Sequence, residues 1–420
     1  MKSKLLNLTK NTFIQGGFFL TASSFIAGFL NYLFNIFAGR ALGPEGYGEI
    51  AALFSYMVVL SIPMGSIVSL LIQKIGSSEN PTEYAVAVHE WILQKTKKWW
   101  FVFVGYLIIT PFVPQLTNLS PMSGYLLPLF ILLSFAGSYY VGALQGLHIF
   151  FWFAIISIGT VLLKLLGAVL ALNGLGGLPI VLIFLLISSA LGLVINYVLY
   201  KKHVQKKAKH IIIKDHRIKD VLMDKQLWLT TGVTGALALI NNVDIMFVKK
   251  VFDAEQAGIY SSWSLFAKII FYVLGPILTM AFIFFSSKKH EIKHQIVFIG
   301  SFIFLAAIGV IANLGYGAFG REIVDNLFGP QFRSVIPYLE WAAYFGTGYT
   351  MMTFMTFYYL AKKSKLSLLP VVLFPVYLIV LVMYSKIIPD VMYISTIYTY
   401  AVIIIFLLVF FKDRFLFLIR

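Results

Sequence analysis

Long apolar segments decide what this chain can fold into. Crossing the hydrocarbon core of a bilayer as a helix takes about 20 mostly apolar residues. Twelve segments meet that need: 13–38, 49–72, 99–113, 126–146, 150–172, 178–200, 226–248, 258–284, 295–318, 336–361, 367–388 and 391–411. Sixty per cent of the residues are hydrophobic and only 12% are charged, and no loop between the segments is long enough for a soluble domain. A transmembrane barrel would alternate polar and apolar residues along each strand, whereas these runs are apolar throughout. The expected fold is an all-α membrane protein of twelve transmembrane helices. The first segment has the length of a span and lacks a small-residue cleavage site, so it reads as a span and not as a removable signal peptide.

A repeat at half the chain length adds a second constraint. Shifted by 210 positions, Thr21 matches Thr231, Ser24 matches Thr234, Asn31 matches Asn241, Arg40 corresponds to Lys250, Glu45 matches Glu255 and Gly48 matches Gly258. Hydrophobic helices resemble one another through composition alone, but these matches are polar and charged. The pattern reads as one unit duplicated and fused. It divides the chain into a six-helix bundle over 1–200, a basic linker over 201–225 and a second six-helix bundle over 226–420. Two halves with an even number of spans each share one orientation. The repeat is then a parallel pseudo-two-fold about the membrane normal, and repeated membrane proteins of this kind place their site at the repeat interface.

The formal charge of +16 does not indicate a nucleic-acid partner, because it is sorted by loop. Alternate loops, including the N-terminus, the 201–225 linker and the C-terminus, hold 25 Lys and Arg; the opposite loops hold only 6, namely Arg40, Lys249, Lys250, Arg321, Arg333 and Lys386. Cytoplasmic loops carry such an excess, which puts both termini and the linker in the cytoplasm and favours contact with anionic membrane lipids. Asn80-Pro81-Thr82-Glu83 fits the start of a helix at the cytoplasmic side. Ile323, Val324, Leu327 and Phe328 share one face of a short amphipathic piece expected in the outer head groups.

Ionisable groups inside the membrane are costly, so each is a functional hypothesis. Lys164 falls near the middle of segment five and Lys268 near the middle of segment eight; both are expected to face a watery cavity or a partner. Arg40, Asp244 and Glu340 lie near outer helix ends, where lining a cavity and reaching the interface are both open. Ser24, Asn31 and Asn35 fall on one helical stripe of segment one. Thr230, Thr234 and Asn241 form an equivalent stripe on segment seven. Interhelical hydrogen bonding would account for either stripe; recurrence in both repeats favours a polar lining. Pro63 and Pro276 interrupt segments two and eight and are hinge candidates.

Several chemistries have no support. The chain has no cysteine, which removes disulfides and thiolate sites. It has no phosphate-binding loop of the nucleotide-hydrolysing kind, no HExxH, and no histidines at metal spacing. No metal, cofactor or catalytic residue is expected.

Four stretches resemble the polysaccharide-transporter branch of the MATE-like (MOP) superfamily, the Wzx-type O-antigen and exopolysaccharide flippases. They are GRALGPEGYGEIAAL at 39–53, ALQGLHIFFWFAIISIGTVLLKLLGAVLAL at 143–172, NNVDIMFVKKVFDAEQAGIYSSWSLFAKIIF at 241–271 and LFGPQF at 327–332. This resemblance implies a MATE-like pair of six-helix bundles around a central cavity. It implies a substrate, an undecaprenyl-diphosphate-linked oligosaccharide moved to the outer leaflet of the bacterial cytoplasmic membrane. It implies a polysaccharide polymerase and glycosyltransferases as neighbours in the pathway. Arg40, Lys164 and Lys268 are the cations here that could serve an acidic substrate. The alternative within the same fold is a multidrug exporter driven by protons or sodium, which calls for buried carboxylates in the N-terminal half; no Asp or Glu falls mid-membrane in the first six segments. An integral membrane glycosyltransferase or a scaffold is the alternative of another class. The former would need an acidic site on an outer loop, the latter would lack a polar cavity.

Overall fold

A computed structural model gives the fold and describes the backbone of residues 12–205, 225–287 and 291–419. The chain is all-α. Its helices are α1 (Thr12–Leu60), α2 (Ile62–Gly76), α3 (Pro81–Lys98), α4 (Trp100–Ile109), α5 (Val113–Thr117), α6 (Pro121–Gly146), α7 (Phe150–Leu172), α8 (Gly177–Tyr200), α9 (Lys225–Ile240), α10 (Val243–Val251), α11 (Ala254–Ser286), α12 (Glu291–Leu327), α13 (Leu339–Ala361), α14 (Leu369–Tyr384) and α15 (Ile388–Ile419). Most of the 201–225 linker lies outside the described residues.

Ten helical stretches among the described residues are long and apolar enough to cross a membrane, two fewer than the twelve segments read from sequence. The differences have physical causes. The first two segments run together in α1, which is broken only by Gly43 at φ +66°. The second segment is cut again near Ser61, so its remainder, α2, is a short apolar helix. The tenth segment does form a helix, α13, but 18 of its 23 residues are buried. A helix shielded from lipid by its neighbours can carry Thr and Tyr in place of Leu and Ile, and α13 does so.

The chain divides into two compact units, one of 1–42 with 56–227, the other of 43–55 with 228–420. In the first unit α6 packs on α2 and α8, and α7 packs on α8. Small residues allow the close approach: a Cβ on Gly142 would lie 2.8 Å from Leu71, and one on Gly146 2.9 Å from Ile75. Association of helices in lipid relies on such packing, since lipid tails are as apolar as side chains. An aromatic group of His89, Tyr139, Tyr140 and Tyr200 ties α3 to α6 and α8. Tyr139 donates to the Ala85 carbonyl at 2.6 Å and shares a 3.1 Å hydrogen bond with the Tyr200 hydroxyl. Helix α3 begins at Pro81 as expected, although Asn80 makes no side-chain capping bond.

In the second unit α13 is the central helix, packed on α11, α12 and α15. Its Gly346 lies against the Ala267 carbonyl of α11, leaving no room for a Cβ. Trp263 of α11 stacks on Phe345 at 5.5 Å and donates to the Tyr338 carbonyl at 2.8 Å. Of the face of Ile323, Val324, Leu327 and Phe328, Val324 and Phe328 are buried in protein and Ile323 and Leu327 are half-buried.

Candidate functional site

The segment-seven helix is interrupted where its sequence reads Asn241-Asn242. Helix α9 stops at Ile240 and α10 restarts at Val243. The first repeat has Asn31-Tyr32 at the equivalent place and runs on unbroken within α1. Adjacent asparagines favour turns, because their side chains compete for nearby backbone groups. Asn242 does so here, its Nδ2 donating to the Ala238 carbonyl at 2.8 Å. Breaks of this kind are tolerated at membrane depth only where protein or a cavity surrounds the backbone.

The break puts Asp244 in the first turn of α10, where a helix N-terminus favours negative charge. Asp244 is fully buried. Its Oδ2 accepts from the Tyr260 hydroxyl of α11 at 2.7 Å, while its Oδ1 has no partner. Tyr377 of α14 and Ser395 of α15 share a 2.9 Å hydrogen bond close by, and Tyr377 interacts electrostatically with Asp244. Lys268, also buried, has Asp244 as its charged neighbour. The two sequence candidates of the second unit therefore belong to one buried polar group. Buried oxygens of Asn241, Ser264, Thr347 and Thr353 in the same unit also lack partners. Groups of this kind are satisfied by water or a ligand in native proteins.

At its other end α10 carries Lys249, which sequence reading places among the outer-loop charges. It is buried and pairs with Glu49 at 2.7 Å. Glu49 lies in the 43–55 segment, which packs within the second unit. One short helix thus holds both Asp244 and the lysine that receives Glu49.

In the first unit Lys164 of α7 lies 5.0 Å from the ring centre of Phe34 on α1. A cation over an aromatic face gains from the ring quadrupole. The remaining candidates are dispersed. Ser24 is exposed and donates to its own helix at the Leu20 carbonyl, 2.7 Å. Asn35 does the same to Asn31 at 2.8 Å, and Thr234 to Thr230 at 2.9 Å. Arg40 and Glu340 are exposed. Asn241 alone of the two stripes is buried with an unpaired oxygen. Pro63 sits in the first turn of α2 and so starts a helix; Pro276 lies inside α11, which continues past it. Among the described residues no group of His, Asp and Glu could hold a metal ion.

The sequence alone does not single out Glu49, Tyr260 or Tyr377, and it marks Lys249 only as an outer-loop charge. The paired asparagines were a usable signal for the break. Nothing local marks Glu49 and Lys249 as partners, since they stand 200 positions apart.

Solved structures with this arrangement of helices are known. A multidrug resistance MATE family transporter of the MOP superfamily, in an inward-facing conformation, superposes with a TM-score of 0.63 at 14% identity, covering 91% of this chain and 93% of that one. The lipid II flippase MurJ, in an inward closed conformation, gives 0.67 at 14% identity, covering 94% and 87%. The chain has the MATE/MurJ fold. A eukaryotic MATE transporter, AtDTX14, gives 0.59 at 10% identity over 96% of both chains. Likeness at this identity establishes fold alone. The sequence matches no protein-family profile and no curated protein. The chain is a multi-pass membrane protein, and the similar solved structures named here are two transporters and a flippase.

Proposed function

We propose that this chain is a membrane carrier that moves the anionic head group of a lipid-linked oligosaccharide across the bacterial cytoplasmic membrane. The observation that carries the reading is the charge of the first unit. Outside the 43–55 segment its spans contain no Asp or Glu, and they hold the mid-span cation Lys164, set over Phe34. A diphosphate-sugar head group cannot enter hydrocarbon without replacement of its water, and fixed cations and amides supply that replacement. The prenyl tail can remain in lipid throughout. The fold supports carriage over catalysis, because its solved relatives are carriers. On this reading the chain makes twelve passes as two six-helix bundles, with both termini in the cytoplasm, and works beside a polymerase and glycosyltransferases.

A second reading, ion-driven export of amphipathic compounds, draws on two observations. Several of the similar solved structures are named as MATE transporters. The second unit also holds a buried carboxylate with a free oxygen, Asp244, which suits an ion or a proton.

One pair of assays separates the readings. The chain is expressed in a strain lacking its own polysaccharide flippase and in a strain lacking its drug exporters. Restored surface polysaccharide, dependent on Lys164 and without drug resistance, is the expected result. Drug resistance that depends on Asp244, with no polysaccharide restored, would transfer the assignment to export.

A further inference from the structure

Among its described residues the second unit buries two carboxylates and two lysines: Glu49, Asp244, Lys249 and Lys268. They stand one against one. Glu49 meets Lys249 at 2.7 Å, and Asp244 has Lys268 as its charged neighbour. The first pair closes on itself. The second stands in a unit where several buried oxygens have no partner.

Helix geometry explains how Lys268 comes to serve Asp244. Residues four apart share a face of a helix, so Tyr260, Ser264 and Lys268 form one row along α11. Tyr260 donates to Asp244 Oδ2 at 2.7 Å, which aims the row at the first turn of α10. All three members are buried. The Ser264 hydroxyl and the Oδ1 atoms of Asp244 and Asn241 have no hydrogen-bond partner. A carboxylate oxygen, an amide oxygen and a hydroxyl are the kind of ligands that hard cations take.

Charge opposes such an ion. Asp244 supplies one negative charge and Lys268 offsets it. A sodium ion added to the pair would leave a net positive charge inside protein, and an uncompensated buried charge is strongly destabilising. The start of α10 adds positive potential at the same place. Lysine carries the same charge as the ion, as a compact ammonium with three donors on a flexible stem, and it is attached to the chain. We propose that Lys268 is a built-in counter-cation for Asp244: the polar group takes no alkali ion as it stands and becomes an alkali-ion site once the lysine is removed. The inference goes beyond the choice of substrate. It holds for a carrier of anionic head groups and for an exporter alike, and in an exporter it removes sodium as the ion bound at Asp244.

The test is thermal unfolding of the purified, detergent-solubilised full chain in sodium chloride and in choline chloride at equal ionic strength. The unsubstituted chain should unfold at the same temperature in both salts. Lys268→Met should unfold lower in choline and regain about 3 °C or more as sodium rises to about 100 mM. Adding Asp244→Asn to Lys268→Met should abolish that regain, because no carboxylate is left to hold the ion. Lys268→Arg keeps the positive charge and should be as indifferent to sodium as the unsubstituted chain. Two results overturn the proposal: an unsubstituted chain that unfolds about 3 °C or more higher in sodium than in choline, or a folded Lys268→Met that gains nothing from sodium, lithium or potassium. Where Lys268→Met yields no folded protein, as shown by size-exclusion elution, the unsubstituted chain and Lys268→Arg decide. Equal unfolding temperatures in the two salts for both uphold the proposal, and a sodium-dependent rise in either overturns it.

Discussion

Gly48 and Gly258 are counterparts in the two halves of the sequence, and in the structure their backbones touch. Each is followed by helix, and each lies a few residues beyond a helix start: the chain re-enters helix at Pro44 after Gly43, and α11 begins at Ala254 after Asp253, again 210 positions apart. Asp253 caps that start by accepting from the Gln256 amide at 2.7 Å. The repeat read from polar matches therefore coincides with a repeat in where helices begin.

The glycine contact makes a graded prediction. Gly258→Ala puts a methyl into the Pro44 carbonyl, and Gly48→Ala puts one against backbone, so both should destabilise by about 1–3 kcal/mol or more. Gly28→Ala and Gly65→Ala meet nothing within 4 Å and should be neutral or slightly stabilising, since alanine is the better helix former by about 1 kcal/mol. Thermal unfolding of the detergent-solubilised variants checks the order. Equal effects at all four sites would contradict the close approach.

Asp244 and Lys268 allow a test of scaffold against substrate handling. Lys268→Met alone leaves a buried carboxylate without its counter-charge, and Asp244→Asn alone leaves a buried ammonium. Each should lower the unfolding temperature. The double variant removes both charges and should recover most of that loss. Transport is then read at matched protein levels. Recovery of transport in the double variant would make Lys268 structural, whereas stable protein without transport would assign it to the substrate.

Lys164 predicts a charge requirement without a stability requirement. Lys164→Gln should reduce polysaccharide export severalfold at near-normal abundance, and Lys164→Arg should retain more, because it keeps the charge and stacks on Phe34 as well. Equal export by the Gln and Arg variants would remove charge from the argument.

His89 supplies a pH dependence outside the spans. Half-buried among Tyr139, Tyr140 and Tyr200, with ring centres 4.9, 5.8 and 5.3 Å away, its imidazole is held below its usual pKa by burial, against a smaller opposing pull from Glu90. A lowered folded value means that the unfolded chain binds the proton first. Stability is then intact above about pH 6.5 and declines as pH falls through that value toward the lowered one. His89→Gln should flatten the difference in unfolding temperature between pH 7.5 and pH 5.5. A variant with the full acid sensitivity of the parent would exclude His89 as its source.

Much of the fold was legible because bilayer spanning imposes a length and a polarity that sequence displays directly. The exceptions share a cause: they depend on what a segment is packed against. Helix α13 looks less apolar than its neighbours because protein, not lipid, covers it. Segment two is interrupted next to Pro63, as its sequence suggests, but the break near Ser61 makes Pro63 the opening turn of α2. In the candidate site, Lys164, Lys268, Asp244 and Asn241 stood out as polar groups at membrane depth. Ser24, Asn35 and Thr234 stood out for the same reason yet bond to their own helix, an option that helical periodicity does not reveal. Tyr260 and Lys249 went unread because their roles come from partners far along the chain.

The segment 43–55 also bears on how the chain holds together. Thirteen residues encoded in the first half are structural parts of the second unit, so the peptide between the halves is not their sole tether. A chain supplied as two polypeptides, divided within the basic stretch at 206–224, should still assemble by complementation. The fragments should co-purify, and Gly258→Ala in the C-terminal piece should release its mate.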